Sequence, residues 1–332
     1  MKAVWVTEFA PFEQVRVADV PDPVAGPGEV VIEVQAAEAN YPDILAIEGR
    51  YQIKPPLPFS PGKCAAGVVS SIGAGVASLS VGQRVAAQTE YGAYAQKLRV
   101  REESCFVLPE GMPFAKAASL GLVYQTAWFA LQDRASFKAG ESVLVLGGSG
   151  GIGVASIQLA KALGASTVIA GIIGPGNDAI ARQAGADAVI NLCASNLQDA
   201  LRDQVKELTG GNGVDIVIDP VGGDSNAAAL RSLAWCGRLV IIGFASGTIP
   251  TIKANYLLVK NIAVTGLQWS DYRERTPERV KEAQEQISSL FMAGKIDPII
   301  SREFALEEFA EGLRLLRDGK AQGKIVLNIG SE

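Results

Sequence analysis

The feature that most constrains this chain is the run Leu146-Gly147-Gly148-Ser149-Gly150-Gly151-Ile152-Gly153 together with its setting. An apolar stretch, Ser142 to Leu146, leads into it and a helical period, Ile152 to Leu163, leads out. Glycines 148, 150 and 153 hold the spacing G-x-G-x-x-G. After a strand and before a helix, that spacing lets the backbone turn tightly and approach a pyrophosphate. The phosphate charge is then met by the amides and dipole of the helix N-terminus. Gly148, Ser149, Gly150, Gly151, Ile152 and Gly153 are the expected cofactor contacts. A glycine turn that only packs a helix on a strand has the same spacing, so the rest of the pattern must decide.

From about residue 115 the pattern is that of alternating strands and helices. The spacing predicts helices over Ala115–Gln132, Ile152–Leu163, Asp178–Ala184, Leu197–Leu208 and Ser225–Trp235. Strands are predicted at Ser142–Leu146, Thr167–Ala170, Ala188–Ile190, Asp215–Ile218, Arg238–Ile242 and Ile262–Thr265. Six apolar strands joined by helices define a doubly wound parallel sheet, which supports dinucleotide binding over mere packing. Residues 1 to about 110 read differently, as short β-branched runs between Pro/Gly turns, hence as a barrel-like β domain. The clearer strands there are Val15–Val20, Glu29–Gln35, Cys64–Ile72 and Arg84–Ala87, with one helix, Pro42–Glu48, directly after Asn40. A charged helix from Pro277 to Met292, a helix Leu306–Leu316 and a strand Lys324–Asn328 close the chain without the alternating rhythm. They are expected to return to the first domain.

The end of the second strand of such a sheet selects the dinucleotide, because a carboxylate there bonds an adenosine ribose and repels a 2′-phosphate. Here the strand runs out in Ala170-Gly171-Ile172-Ile173-Gly174 with no acid, which leans toward NADPH without excluding NADH. Gly171 and the nearby Asn177 and Arg182 join the expected cofactor contacts, as do Gly243 and Phe244 after the strand at 238–242.

Composition removes most other chemistries. The 332 residues include no histidine, so a Ser-His-Asp triad, a Cys-His dyad and a histidine-bearing zinc site are all excluded. Cys64, Cys105, Cys193 and Cys236 form no C-x-x-C pair and read as reduced, mostly buried thiols. A net charge of −5 argues against nucleic acid as a partner. The N-terminal residues carry charge too early for a signal peptide, and the apolar stretch Val143–Ile157 is too rich in glycine to span a bilayer. The expectation is a cytoplasmic protein with a small-molecule substrate.

The residues quoted so far, with Asn40-Tyr41-Pro42-Asp43, Gly49-Arg50-Tyr51, Pro58-Phe59-Ser60-Pro61-Gly62, Ala66-Gly67-Val68-Val69, Val81-Gly82-Gln83-Arg84-Val85, Gly92-Ala93-Tyr94-Ala95, Thr126-Ala127 and Gly323-Lys324-Ile325-Val326-Leu327, carry a resemblance that covers the whole chain. It resembles the zinc-free branch of the medium-chain dehydrogenase/reductases, the quinone oxidoreductase (zeta-crystallin-like) family. The resemblance implies an α/β chain with a GroES-like β-barrel catalytic domain, 1–118 and 267–332, and an inserted Rossmann domain, 119–266. It places cofactor and substrate in the cleft between them. Zinc-dependent relatives carry a cysteine where Asn40 stands and a histidine where Lys63 stands, so no zinc is expected. Two positions that reach the 2′-phosphate in the family read Asn177 and Leu192 here, and Cys64 replaces a customary acid. Relatives dimerise through the edge strand that corresponds to Ile262–Thr265, and a homodimer is expected.

Reduction without metal or imidazole needs a hydride donor and an acceptor held close to it. A quinone oxygen takes its proton from solvent, so hydrogen-bond donors suffice. An enone or enoyl thioester also needs a proton at carbon, and a tyrosine can supply it. The expected roles are Asn40 positioning the ligand on the nicotinamide side, Thr126 contacting the nicotinamide, and Tyr41 and Tyr51 facing the acceptor. The resemblance makes Tyr51 the proton donor for an enone. Lys324 is expected either as a phosphate contact or as a solvated edge lysine. Against each stands a plainer role: Asn40 as a helix cap, Thr126 bonded to its own turn, Tyr41 as packing, Tyr51 as pocket rim. Two functions compete: an NADPH-dependent reductase of quinones or other activated double bonds, and a dinucleotide-binding or sensing protein with little turnover.

Overall fold

The computed structural model describes residues 1–174 and 178–330; Asn177 lies outside the described residues. The chain opens with a short antiparallel pair, β1 (Lys2–Trp5) and β2 (Arg16–Asp19), then enters β3 (Glu29–Ala39). Asn40 separates β3 from α1 (Tyr41–Ile47), and four strands follow: β4 (Cys64–Ile72), β5 (Arg84–Gln88), β6 (Lys97–Arg101) and β7 (Cys105–Val107). β3 organises this region because it serves three neighbours. β4 runs along one side of it, while on the other Glu29–Glu33 pair with β6 and the later residues pair with a strand from the chain's end. Two register shifts against β4, at Val31/Ile32 and Val34/Ala36, bend the strand and let it change partner.

Next come α2 (Phe114–Ser119) and α3 (Leu122–Phe129), two helices where the sequence predicts one over 115–132. The interruption falls where the chain passes close to β4. A Cβ on Gly121 would lie 2.7 Å from Cys64 Sγ, so the backbone approaches β4 closely there, and the Leu122 N–H turns to Glu38 Oε1 at 3.2 Å.

The alternating region contains β8 (Ser142–Leu146), α4 (Gly151–Ala162), β9 (Thr167–Ile172), α5 (Asp178–Gln183), β10 (Ala188–Asn191), α6 (Leu197–Leu208), β11 (Val214–Asp219), α7 (Gly223–Arg231), β12 (Leu233–Ile241), α8 (Ala254–Lys260) and β13 (Ala263–Gly266). Its six strands are parallel, in the order β10-β9-β8-β11-β12-β13. The strand order reverses between β8 and β11, which is where open α/β sheets bind ligands, beyond the strands' carboxyl ends. β8 is enclosed along its whole length, in keeping with its unbroken apolar sequence. The predicted helix 225–235 ends early: α7 stops at Arg231 and Trp235 stands on β12, 77% exposed. Thus Trp235 is an exposed strand residue and not the end of a helix. The Ser232 hydroxyl bonds back to the Ala228 carbonyl at 3.1 Å, and the following segment pairs with β11.

The chain continues through α9 (Trp269–Arg275), α10 (Pro277–Met292), β14 (Ile300–Ala305), α11 (Phe309–Arg317) and β15 (Lys324–Asn328). β15 pairs with β3 on one side and β14 on the other, so Lys324 does not sit on an edge strand. The first unit comprises Met1–Leu122, Arg275–Met292 and Ile300–Glu332; the second comprises Val123–Glu274 and Ala293–Ile299. Each has its own core, around Val30, Ile32, Tyr94, Leu313 and Ile325 in the first, and around Leu144, Ile169, Val217 and Leu239 in the second. Cys64 is buried and Cys105 half-buried, but Cys193 and Cys236 are exposed, because both lie in connections or at a bulge outside either core. No helix among the described residues is long and apolar enough to cross a membrane.

Candidate active site

In the second unit the glycine motif forms the turn from β8 to α4. Gly148 and Gly153 are required by the protein itself. A Cβ on Gly148 would stand 2.7 Å from Ala170 Cβ, and one on Gly153 would run into the Gly147 carbonyl oxygen. Gly150 is different, since an added Cβ would meet nothing closer than the Gly147 carbonyl at 3.5 Å. The protein does not fill the space above Gly150, which leaves room for a ligand to approach the backbone there. The first helical bond runs from the Val154 N–H to the Gly150 carbonyl at 2.8 Å, and Gly150 has no side chain to cap with. That leaves the N–H groups of Gly151, Ile152 and Gly153 as the helix's outward donors, arranged for an anion. Ser149, Gly151 and Ile152 are only half-buried beside them. This cradle fits a pyrophosphate.

Gly171, near the end of β9, accepts the Gly148 N–H at 2.9 Å, tying the second strand to the turn. It packs against Leu192, whose side chain would lie 3.1 Å from a Cβ at 171. β9 ends without a carboxylate, and Arg182 on α5 is exposed with no ion pair among the described residues. Across the switch point, at the end of β11, stands Asp219, which is not among the residues expected from the sequence. Its fully buried carboxylate accepts the Val221 and Gly222 N–H groups, each at 2.8 Å, and the Asn226 amide at 2.7 Å. The carbonyl of Asp219 takes the Ile242 N–H at 2.8 Å, and the Ala245 N–H reaches the Pro220 carbonyl at 3.0 Å. These bonds fix the loop that carries Gly243 and the exposed Phe244. The visible signal was an acid ending an apolar strand. Thr126, on α3, is buried, and its hydroxyl makes no hydrogen bond among the described residues, so it does not bond back to its own turn.

In the first unit the site residues gather where β3 ends and α1 begins. The Asn40 N–H donates to Asp43 Oδ2 at 2.8 Å and the Asp43 N–H donates to the Asn40 carbonyl at 3.0 Å, which secures the start of α1. The Asn40 side-chain oxygen accepts from Lys324 Nζ at 2.7 Å, and Lys324 also pairs with Glu38 Oε2 at 2.6 Å. Both partners of that pair are buried. The phosphate contact expected of Lys324 therefore has no solvent-facing ammonium behind it. Glu38 was not foreseen, although a carboxylate inside Ala36-Ala37-Glu38-Ala39 is an anomaly legible in the sequence. It stands beside Cys64, and burial together with this carboxylate pushes the Cys64 thiol well above its usual range. The acid missing at position 64 is thus supplied from the adjacent strand.

Asp43 is fully enclosed. Burial raises its carboxyl to about 6, against the pull of Lys63, the Tyr94 hydroxyl at 2.8 Å and the Asn40 N–H. The other oxygen of Asp43, the Asn40 Nδ2 and both ends of the Gln88 amide are buried without partners. Lys63 donates to Glu90 Oε2 at 2.6 Å and lies 4.4 Å from the centre of the Tyr51 ring. Tyr51 is half-buried, with its hydroxyl unbonded among the described residues, while Tyr41 is exposed at the first turn of α1.

A zinc ion does not fit this donor set. The two positions that would have to ligate it hold a neutral amide and an ammonium already paired with Glu90. Among the described residues no group of three or more His, Cys, Asp or Glu side chains is arranged to hold a metal.

A parallel sheet with a pyrophosphate cradle at its switch point, joined in one chain to a β domain with a buried polar cluster, defines a nicotinamide-dependent dehydrogenase or reductase. Comparison with known proteins agrees. Residues 26–127 match the alcohol dehydrogenase GroES-like domain family and residues 151–288 the zinc-binding dehydrogenase family. The chain is 36% identical over 309 residues to mouse quinone oxidoreductase-like protein 2, covering 93% of this chain and 87% of that one. It superimposes on Escherichia coli quinone oxidoreductase complexed with NADPH with a TM-score of 0.90 at 28% identity, covering 99% of this chain and 100% of the other. A mycobacterial protein, Rv1454c, also complexed with NADPH, gives a TM-score of 0.91 at 30% identity, covering 99% and 100%. The chain belongs to the quinone oxidoreductase family of the medium-chain dehydrogenase/reductases, a family of NAD(P)H-dependent oxidoreductases.

Proposed function

We propose that the protein reduces quinones or other activated double bonds with NADPH and without a metal. The observation that carries the reading is the open space above Gly150 beside three outward N–H donors, next to a second strand that ends without a carboxylate. The loop from Gly148 to Gly153 would hold the pyrophosphate, Gly171 and Arg182 would border the adenosine 2′-phosphate, and Gly243 and Phe244 would flank the cofactor. When bound, NADPH supplies the hydride. The chain's own residues bind and orient: Thr126 offers a free hydroxyl to the nicotinamide, and Asn40 offers a fixed donor to an oxygen of the bound ligand.

A second reading, reduction of an enone or enoyl thioester, is favoured by Tyr51. Its unbonded hydroxyl is available to give a proton to carbon, and the Lys63 ammonium against its ring holds the side chain in place. Turnover of NADPH and NADH with a panel of quinones and enones, with and without a strong chelator, tests these readings. Chelator-resistant, NADPH-preferring activity on either acceptor class supports them. Tight NADPH binding with no turnover on any acceptor would instead mark a dinucleotide-binding protein. We further propose a homodimer formed through β13 and a cytoplasmic setting, the latter in keeping with four unpaired cysteines.

A further inference from the structure

An ammonium has three hydrogens and no lone pair. Lys324 Nζ faces only inward oxygens: it donates to Asn40 Oδ1 (2.7 Å) and the Ala39 carbonyl (3.4 Å) and forms an ion pair with Glu38 Oε2 (2.6 Å), and the residue is 4% exposed. Glu38 is held at its other oxygen by the Leu122 N–H. The consequence falls on Asn40. Because an ammonium can face only the oxygen of an amide, the NH2 end of Asn40 must point away from Lys324. That nitrogen is buried and has no partner, so an amide that could otherwise present either end presents its donor alone.

We propose that Glu38 and Lys324 are positioning residues that lock the Asn40 amide so that Nδ2 donates to a neutral oxygen of the bound ligand, a carbonyl or a hydroxyl. The inference rests on Asn40 being a ligand contact. A neutral acceptor is indicated because Lys324 is cancelled by Glu38 and Lys63 by Glu90, while Asp43 adds a buried carboxyl. A negatively charged ligand group would gain no net attraction there.

The test compares steady-state NADPH oxidation with a quinone, and NADPH affinity by fluorescence titration, across four variants. These are Asn40→Ala, Asn40→Asp, the paired Glu38→Gln/Lys324→Met, and that pair combined with Asn40→Ala. The paired change avoids leaving a buried charge alone. Asn40→Ala should lower kcat/KM about tenfold, the effect of losing one hydrogen bond. Asn40→Asp keeps an acceptor for Lys324 but has no donor, and should lose at least as much. The charge-free pair should cost severalfold by itself and nothing more once Asn40 is alanine. Multiplying losses, or an equal fall in NADPH affinity in both backgrounds, would show Lys324 acting on the cofactor directly and overturn the proposal, as would full activity of Asn40→Asp. If the pair does not fold, Asn40→Asp decides, since it leaves Glu38 and Lys324 in place. Wild-type kcat and KM in Asn40→Ala would sink the ligand-contact reading itself.

Discussion

Asp43 is the residue at which burial and charge compete most openly. Its carboxyl, raised to about 6 by burial, has an ordinary value near 3.8 in the unfolded chain. Its contribution to stability is therefore fully present below about pH 4 and is lost as pH rises through 6, because the folded state must then enclose the ionised group. Removing the charge with Asp43→Asn should abolish this dependence. The stability of the wild type relative to the variant should fall by up to about 3 kcal/mol between pH 4 and 6 and stay level above 7. Denaturant titrations of both proteins across that range measure it, and a pH-independent difference would mean that Asp43 bears no such cost. Tyr51 can be judged by substrate class. Tyr51→Phe should lower kcat on an enone by about 10²-fold, the range for losing a positioned acid, and should cost far less on a quinone, whose oxygen takes its proton from water. Equal activity of variant and wild type on every acceptor would reduce Tyr51 to a pocket wall.

At the scale of elements, the turn from β8 to α4 combines two kinds of glycine, those the protein needs for its own packing and one, Gly150, above which the protein leaves open space. Gly150→Val is expected to abolish dinucleotide binding while the chain keeps its fold and circular dichroism spectrum, since the new side chain occupies ligand space and not protein space. NADPH affinity unchanged in the folded variant would remove the phosphate-site assignment. This element was legible in the sequence because strand, turn and helix are adjacent along the chain and the chemistry lies in the backbone. The break between α2 and α3 was not legible. There the chain passes close to Cys64 and the Leu122 N–H bonds Glu38, both more than fifty positions away, and helical periodicity contains no information about such contacts.

For the whole molecule, the sheet of the second unit ends at β13, whose outer edge has no partner strand among the described residues. The same unit exposes Trp235, Leu258 and Val259, each more than 70% accessible. An unpaired edge accompanied by exposed apolar side chains favours pairing with a second copy around a two-fold axis. Sedimentation at micromolar concentration should give the mass of a dimer, and a monomer there would refute it. The sequence by itself determined the alternation of strands and helices, the glycine turn and the absence of imidazole chemistry, because each depends on local pattern or on composition. Only the tertiary structure decided the Glu38–Lys324–Asn40 arrangement, the burial of Asp43, and the joining of Ala293–Ile299 to the second unit, where the Asp297 main chain bonds Gln158 at 2.7 and 3.0 Å. Those contacts link residues as much as 286 positions apart, from Glu38 to Lys324, and side chains so distant meet only because β15 is hydrogen-bonded to β3.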